Sequence, residues 1–265
     1  MGIAKNKLQK RREMINTILE LFNSSSMVNV IHYSCESFYG LEGKSPRITS
    51  IAVRNLKSGQ TTSFAIHQLA ERHTIEFEQI HNSYDALEKE MLKEFYEFVE
   101  RHTNYKWLHW NMRDTNYGFP AIAHRYAVLG GKPIPIDENR LFDMATLLID
   151  RYGPGYAKHP RLEKLMEINS ISRKDALTGA EEAQAFEDKE YLKLHRSTLR
   201  KVDVISNIAN REWNGTLKTL SIWKDEYGVT ILGVVEAFTE TTSFKILGIA
   251  SMFITLIAFI LQIFG

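Results

Sequence analysis

The sequence predicts an α/β fold in which a mixed sheet is flanked by helices, with one transmembrane helix at the C-terminal end. Three observations carry this expectation. Short apolar runs broken by turn residues fill Val28 to Ile66; amphipathic helical periodicity then alternates with further short apolar runs; and the chain closes on an uncharged apolar stretch.

At the front, Lys5, Lys7, Lys10, Arg11 and Arg12 lead into Met14, Ile15, Ile18, Leu19 and Phe22. That spacing predicts an amphipathic helix over about 4–22, within an N-terminal segment 1–26, rather than a secretory signal. A domain over 27–212 follows. Val28, Val30 and Ile31 open a buried strand, Gly40 to Pro46 supplies turn residues, and Ile48, Ile51 and Val53 begin a second strand. A hairpin turn at Lys57-Ser58-Gly59-Gln60 leads to a third strand at Thr61 to Ile66, after which His67 to Glu76 reads as a polar connection. Leu87, Met91, Leu92, Phe95 and Val99 mark a helix over Tyr84 to Glu100.

A strand at Tyr105 to His109 and a helix ending at Leu129-Gly130 come next. Ile136 to Tyr152 reads as a strand and a helix stopped by Gly153-Pro154-Gly155. Arg161 to Asn169 and Lys174 to Asp188 read as two more helices. Glu181 and Glu182 are neighbours on the second of these, and adjacent helix positions face different ways, so the pair reads as solvated surface. Lys+Arg at 33 against Asp+Glu at 32 leaves a net charge of +1, so any nucleic-acid surface must be a local patch. Cys35 is the one cysteine, which excludes an intramolecular disulfide and fits a reducing compartment.

Three stretches carry a family resemblance. The first is Ser34-Cys35-Glu36-Ser37-Phe38-Tyr39-Gly40, then Pro46-Arg47-Ile48 and Ile51-Ala52-Val53; the second is His109-Trp110-Asn111 with the helix ending at Leu129-Gly130; the third is His195 to Asp203. Together they resemble the motifs of the DEDD 3′-5′ exonucleases of the ribonuclease H-like superfamily. The resemblance implies a ribonuclease H-like mixed sheet, and in active members four carboxylates holding two Mg²⁺ ions beside a histidine base. Here Ser34 stands at the first aspartate, Asp114 comes one residue early with Asn116 at the alternative position, and Arg200 stands five residues after His195. Glu36 alone falls squarely in place, which points to a degenerate nuclease with no catalytic or metal-binding residues and no cofactor.

The candidate ligand-binding residues are therefore Ser34, Glu36, Ser37, Phe38, His109, Trp110, Asn111, Arg113, Asp114, Asn116, His195 and Arg200. These supply hydrogen-bond donors and, with Tyr39 and Tyr117, aromatic faces for bases.

The segment 213–243 reads as a linker and juxtamembrane stretch, and 244–265 as the membrane helix. Ile246 to Gly265 carries no charge and spans about 30 Å as a helix, the thickness of a bilayer core. Gly248, Ser251, Thr255, Ala258 and Gln262 fall on one stripe of it, as expected of associating or pore-lining helices.

A degenerate exonuclease domain joined to such a helix resembles the channel-forming membrane effectors of the Hailong anti-phage defence system. That resemblance implies a single-pass protein of the bacterial inner membrane, with its N-terminal domain cytoplasmic. It also implies a homo-oligomer, for instance a tetramer, in a lipid bilayer, sensing single-stranded DNA or a nucleotide oligomer made by a partner nucleotidyltransferase and gating a pore. Two alternatives stand beside it. One is an active membrane-anchored exonuclease using Glu36, Asp114 or Asp203 with Mg²⁺ or Mn²⁺ and His195 as base; the other is an anchored scaffold with no nucleic-acid ligand.

Overall fold

Val28–Cys35 forms β1, and all of its residues are buried. Burial on both faces is what the middle strand of a helix-covered sheet requires, and it accounts for the apolar run that opens the strand. The computed structural model describes residues 2–37, 45–113, 116–228 and 231–239. Within them β2 (Ile48–Asn55), β3 (Thr61–Ala65), β4 (Lys106–His109) and β5 (Leu141–Asp143) complete a five-stranded sheet of order β3-β2-β1-β4-β5. β2 runs antiparallel to both its neighbours, whereas β1, β4 and β5 are parallel, so the sheet is mixed.

The period-two alternation of β1 sorts its side chains between two cores. Ile31, Tyr33 and Cys35 join Ile51, Val53 and Trp107 against α3 (Tyr84–Arg101), the helix whose Leu87, Met91, Leu92, Phe95 and Val99 are buried as their spacing predicts. Val28 and Val30 join Ala52 and Leu108 on the opposite face. There α8 (Tyr191–Trp213) crosses β1 and β2, while α1 (Gly2–Asn23) packs on α5 (Met144–Tyr152). α1 buries Leu8, Met14, Ile18 and Leu21, and its Arg11 is enclosed over the ring of Tyr227, 4.2 Å from the centroid. α9 (Trp223–Tyr227) carries that tyrosine.

His67 to Glu76, expected as a polar connection, begins inside a helix, α2 (Ile66–Arg72), which buries Ile66, Leu69 and Ala70. Its apolar residues are too few to show a period in the sequence, and packing supplies what propensity does not. α4 (Phe119–Val128), α6 (Arg161–Ile168), α7 (Gly179–Glu187) and α10 (Ile231–Thr239) are the remaining α-helices among the described residues.

The expected fold class is corrected at its C-terminal part. Among the described residues no helix is long and apolar enough to cross a membrane. α10 has nine residues, which at about 1.5 Å each reaches less than half of a bilayer core. The helix expected at 244–265, with Gly248, Ser251, Thr255, Ala258 and Gln262, lies outside the described residues. What stands is an α/β fold with a five-stranded mixed sheet flanked by helices.

Candidate functional site

His32 and Ser34 are two residues apart on β1, so both face α8. On α8 the residues that turn towards the sheet are Ser197, Thr198, Lys201, Val202 and Ile205, the inner stripe of a 3.6-residue period. Where strand and helix meet, polar side chains form a closed network. The Thr198 hydroxyl lies 2.8 Å from Ser34 Oγ and 2.6 Å from Ser50 Oγ. Ser34 and Ser197 both donate to Glu182 Oε1, at 3.0 and 2.7 Å. Lys201 Nζ reaches the same oxygen at 2.8 Å.

Glu182 is thus the inward member of the Glu181-Glu182 pair. Glu181 accepts from the Thr178 amide and closes the capping box at the start of α7, which fixes the helical phase that sends Glu182 to β1. The expectation that both glutamates are solvated surface is corrected for Glu182. Its charge balance is supplied from within the protein, by the Lys201 ammonium.

Glu36 is satisfied in another way. Its carboxylate accepts from the Arg47 amide at 2.7 Å and from Arg47 Nε at 3.0 Å, and the guanidinium lies over the rings of Phe186 and Tyr84. Asp203 is engaged by Arg200 at 2.6 Å and lies 3.8 Å from Arg54. Divalent cations need several oxygens free to converge at close range. Among the described residues no such cluster of His, Cys, Asp or Glu occurs. Among the described residues, the carboxylates that approach this face are held by Lys201, Arg47 or Arg200.

Beside the network lies a cleft of about 290 Å³, lined by His32, Trp110, Asn111, Tyr117, Arg161 and Lys201 among others. Tyr117 Oη lies 3.1 Å from the Tyr33 carbonyl and 3.3 Å from His32 Nδ1, within hydrogen-bond reach of both. His32 Nε2 is buried without a partner among the described residues. Burial, with the Lys201 charge second, holds the imidazole well below its usual pKa and keeps it neutral.

The turn after β4 forms the cleft wall. Asn111 adopts the left-handed region at φ 54°, a conformation asparagine tolerates, and its amide donates to Asp143 Oδ1 at 3.0 Å. Asp143 also caps α5 by accepting from the Ala145 amide at 3.0 Å, and its second oxygen pairs with Arg113 Nε at 2.6 Å. One carboxylate therefore holds the turn, the helix start and the arginine together.

The candidate residues are only partly brought together. Trp110 and Asn111 line the cleft, and Ser34 sits in the network at its side. His109 and Arg113 face a second cavity beyond the turn. His195 packs against His67 of α2, with ring centroids 5.0 Å apart, and Arg200 donates to the Ser172 carbonyl and to Asp203. Ser37 follows β1 and is half-buried, Asn116 is exposed, and Phe38, Tyr39 and Asp114 lie outside the described residues. Of the aromatic faces, Trp110 is 7% exposed and the Tyr117 ring is stacked on Tyr33 at 4.6 Å. Sequence reasoning missed His32, Arg161, Glu182 and Lys201. The available signal was helical phase: Lys201 follows Thr198 by three residues and Leu194 by seven, which places it on the buried stripe, whereas Arg200 lies about 100° away. No family model, no curated protein and no solved structure matches the chain.

Proposed function

We propose that the α/β domain binds a single-stranded oligonucleotide through its phosphates and sugars without hydrolysing it, as a degenerate member of the exonuclease fold it resembles. The observation that carries the reading is Lys201. A fixed ammonium, 2.8 Å from Glu182, lines the cleft on the face where the resemblance places metal-binding carboxylates. The rest of the cleft supports it: Arg161 adds positive charge, His32 Nε2 is left without a hydrogen-bond partner among the described residues, and Asn111 offers an amide. A mixed sheet flanked by helices is also what the resemblance implies. Within anti-phage defence, such a domain would act as the sensor.

The test is a titration of the full-length protein with a labelled single-stranded DNA, in EDTA and in Mg²⁺, with binding and strand length read from the same samples. Salt-sensitive binding that is equal in both buffers, with the strand intact, is the expected result. Mg²⁺-dependent shortening from the 3′ end that disappears in Glu182→Gln would establish a nuclease and overturn the proposal.

A further inference from the structure

On the far side of the 109–113 turn lies a cavity of about 490 Å³, larger than the cleft and separate from it. α3, α4 and the irregular stretch 131–137 enclose it, through Phe95, Phe119, Ile122, Ile134 and Ile136, with Leu141 from β5. Such a volume lies within the range of small-molecule sites. Its wall is largely apolar; the polar groups on it are His109, the Arg113–Asp143 pair, Tyr96 and, at the rim, Glu138.

The polar groups define the ligand. His109 Nδ1 accepts the Met112 amide at 3.2 Å, so the ring proton resides on Nε2. The side chain is 1% exposed, and among the described residues its Nε2–H meets no acceptor. The cavity wall therefore carries a neutral N–H donor, and leaving such a group without an acceptor in an apolar site is costly. Arg113 and Asp143 pair at 2.6 Å, and Glu138 leaves the rim net negative, which disfavours an anionic ligand. Phe119 meets His109 edge to face, with ring centroids 5.5 Å apart, and leaves flat apolar surface beside the donor.

We propose that this cavity is a second binding site, for an uncharged heteroaromatic molecule whose ring or carbonyl acceptor receives the His109 Nε2–H. It stands independently of strand binding in the cleft. A matched pair of probes isolates the acceptor: indole and benzimidazole have nearly the same shape, but only benzimidazole carries an acceptor nitrogen, and both are neutral at pH 8.

Calorimetric titration of the full-length protein with each probe is the experiment. Benzimidazole is expected to bind roughly tenfold more tightly than indole, the worth of one neutral hydrogen bond. His109→Phe keeps the ring and removes the donor, and should abolish that difference. Ala123→Phe, which fills the cavity from α4, should abolish binding of both while leaving single-stranded DNA binding unchanged. Equal affinities for the two probes, no saturable binding of either, or binding that survives Ala123→Phe would overturn the proposal. Should His109→Phe fail to fold, the probe pair and Ala123→Phe still decide it. Lys201→Gln separates the two sites, because it should weaken DNA binding and leave benzimidazole binding as it was.

Discussion

Gly118 joins the turn after β4 to α4 at φ 151°, and its amide donates to Tyr33 Oη at 2.9 Å. A Cβ there would lie 2.4 Å from the Met112 carbonyl carbon, so Gly118→Ala must move backbone. We expect it to lower stability by about 1–3 kcal/mol, read as a reduced urea midpoint at unchanged slope. A change below the error of the measurement would mean that the turn is free to relax. His109 and His195 make a second prediction at this scale. Burial lowers each from its usual 6.5 to about 4. The unfolded chain therefore takes up the two protons first as pH falls. Their contribution to stability is full above about 6.5, is lost progressively down to about 4, and changes no further below that. Melting temperature should fall across that window, and His195→Gln should make the fall shallower; an unchanged slope would refute the assignment.

At the scale of the element, α8 organises the site because one stripe serves two purposes. Val202, Ile205 and Ile208 are fully buried against the sheet, while Ser197, Thr198 and Lys201 extend the same stripe over the polar end of β1. Packing therefore sets the position of the site. Ile205→Ala should cost about 2–5 kcal/mol in chemical denaturation, as other buried aliphatic truncations do. A loss well under 1 kcal/mol would show that α8 is not anchored as described. α3 holds its own end of the sheet differently. Its Glu88, fully buried, accepts the Ile48 amide at 2.6 Å and receives Arg125 Nε at 3.0 Å. Arg125→Met would leave that carboxylate uncompensated, and a destabilisation of about 3–5 kcal/mol is expected from thermal or urea unfolding.

For the whole molecule, a net charge of +1 provides no long-range field, so the proposed strand binding must depend on the few cations of one cleft. Lys201→Gln should then lower the slope of log affinity against log salt by about 0.7, the value of one phosphate contact on a single strand. An unchanged slope with weakened binding would assign Lys201 to the Glu182 network alone.

Much of the fold was legible in the sequence because burial imposes periods. The alternation of β1, the 3–4 spacing of α3 and the apolar stripe of α1 are local patterns that hold wherever these segments pack. The site was legible only in part. Motif order led to Ser34, Glu36, Asn111 and His195 as candidates. Only the tertiary structure decided that Glu36 closes on Arg47, that His195 packs on His67, and that His32, Glu182 and Lys201 converge. Glu182 meets Ser34 across 148 residues of chain, Lys201 joins it through Glu182, and no local period reports which of two adjacent glutamates, or of Arg200 and Lys201, a helix turns inward when it docks.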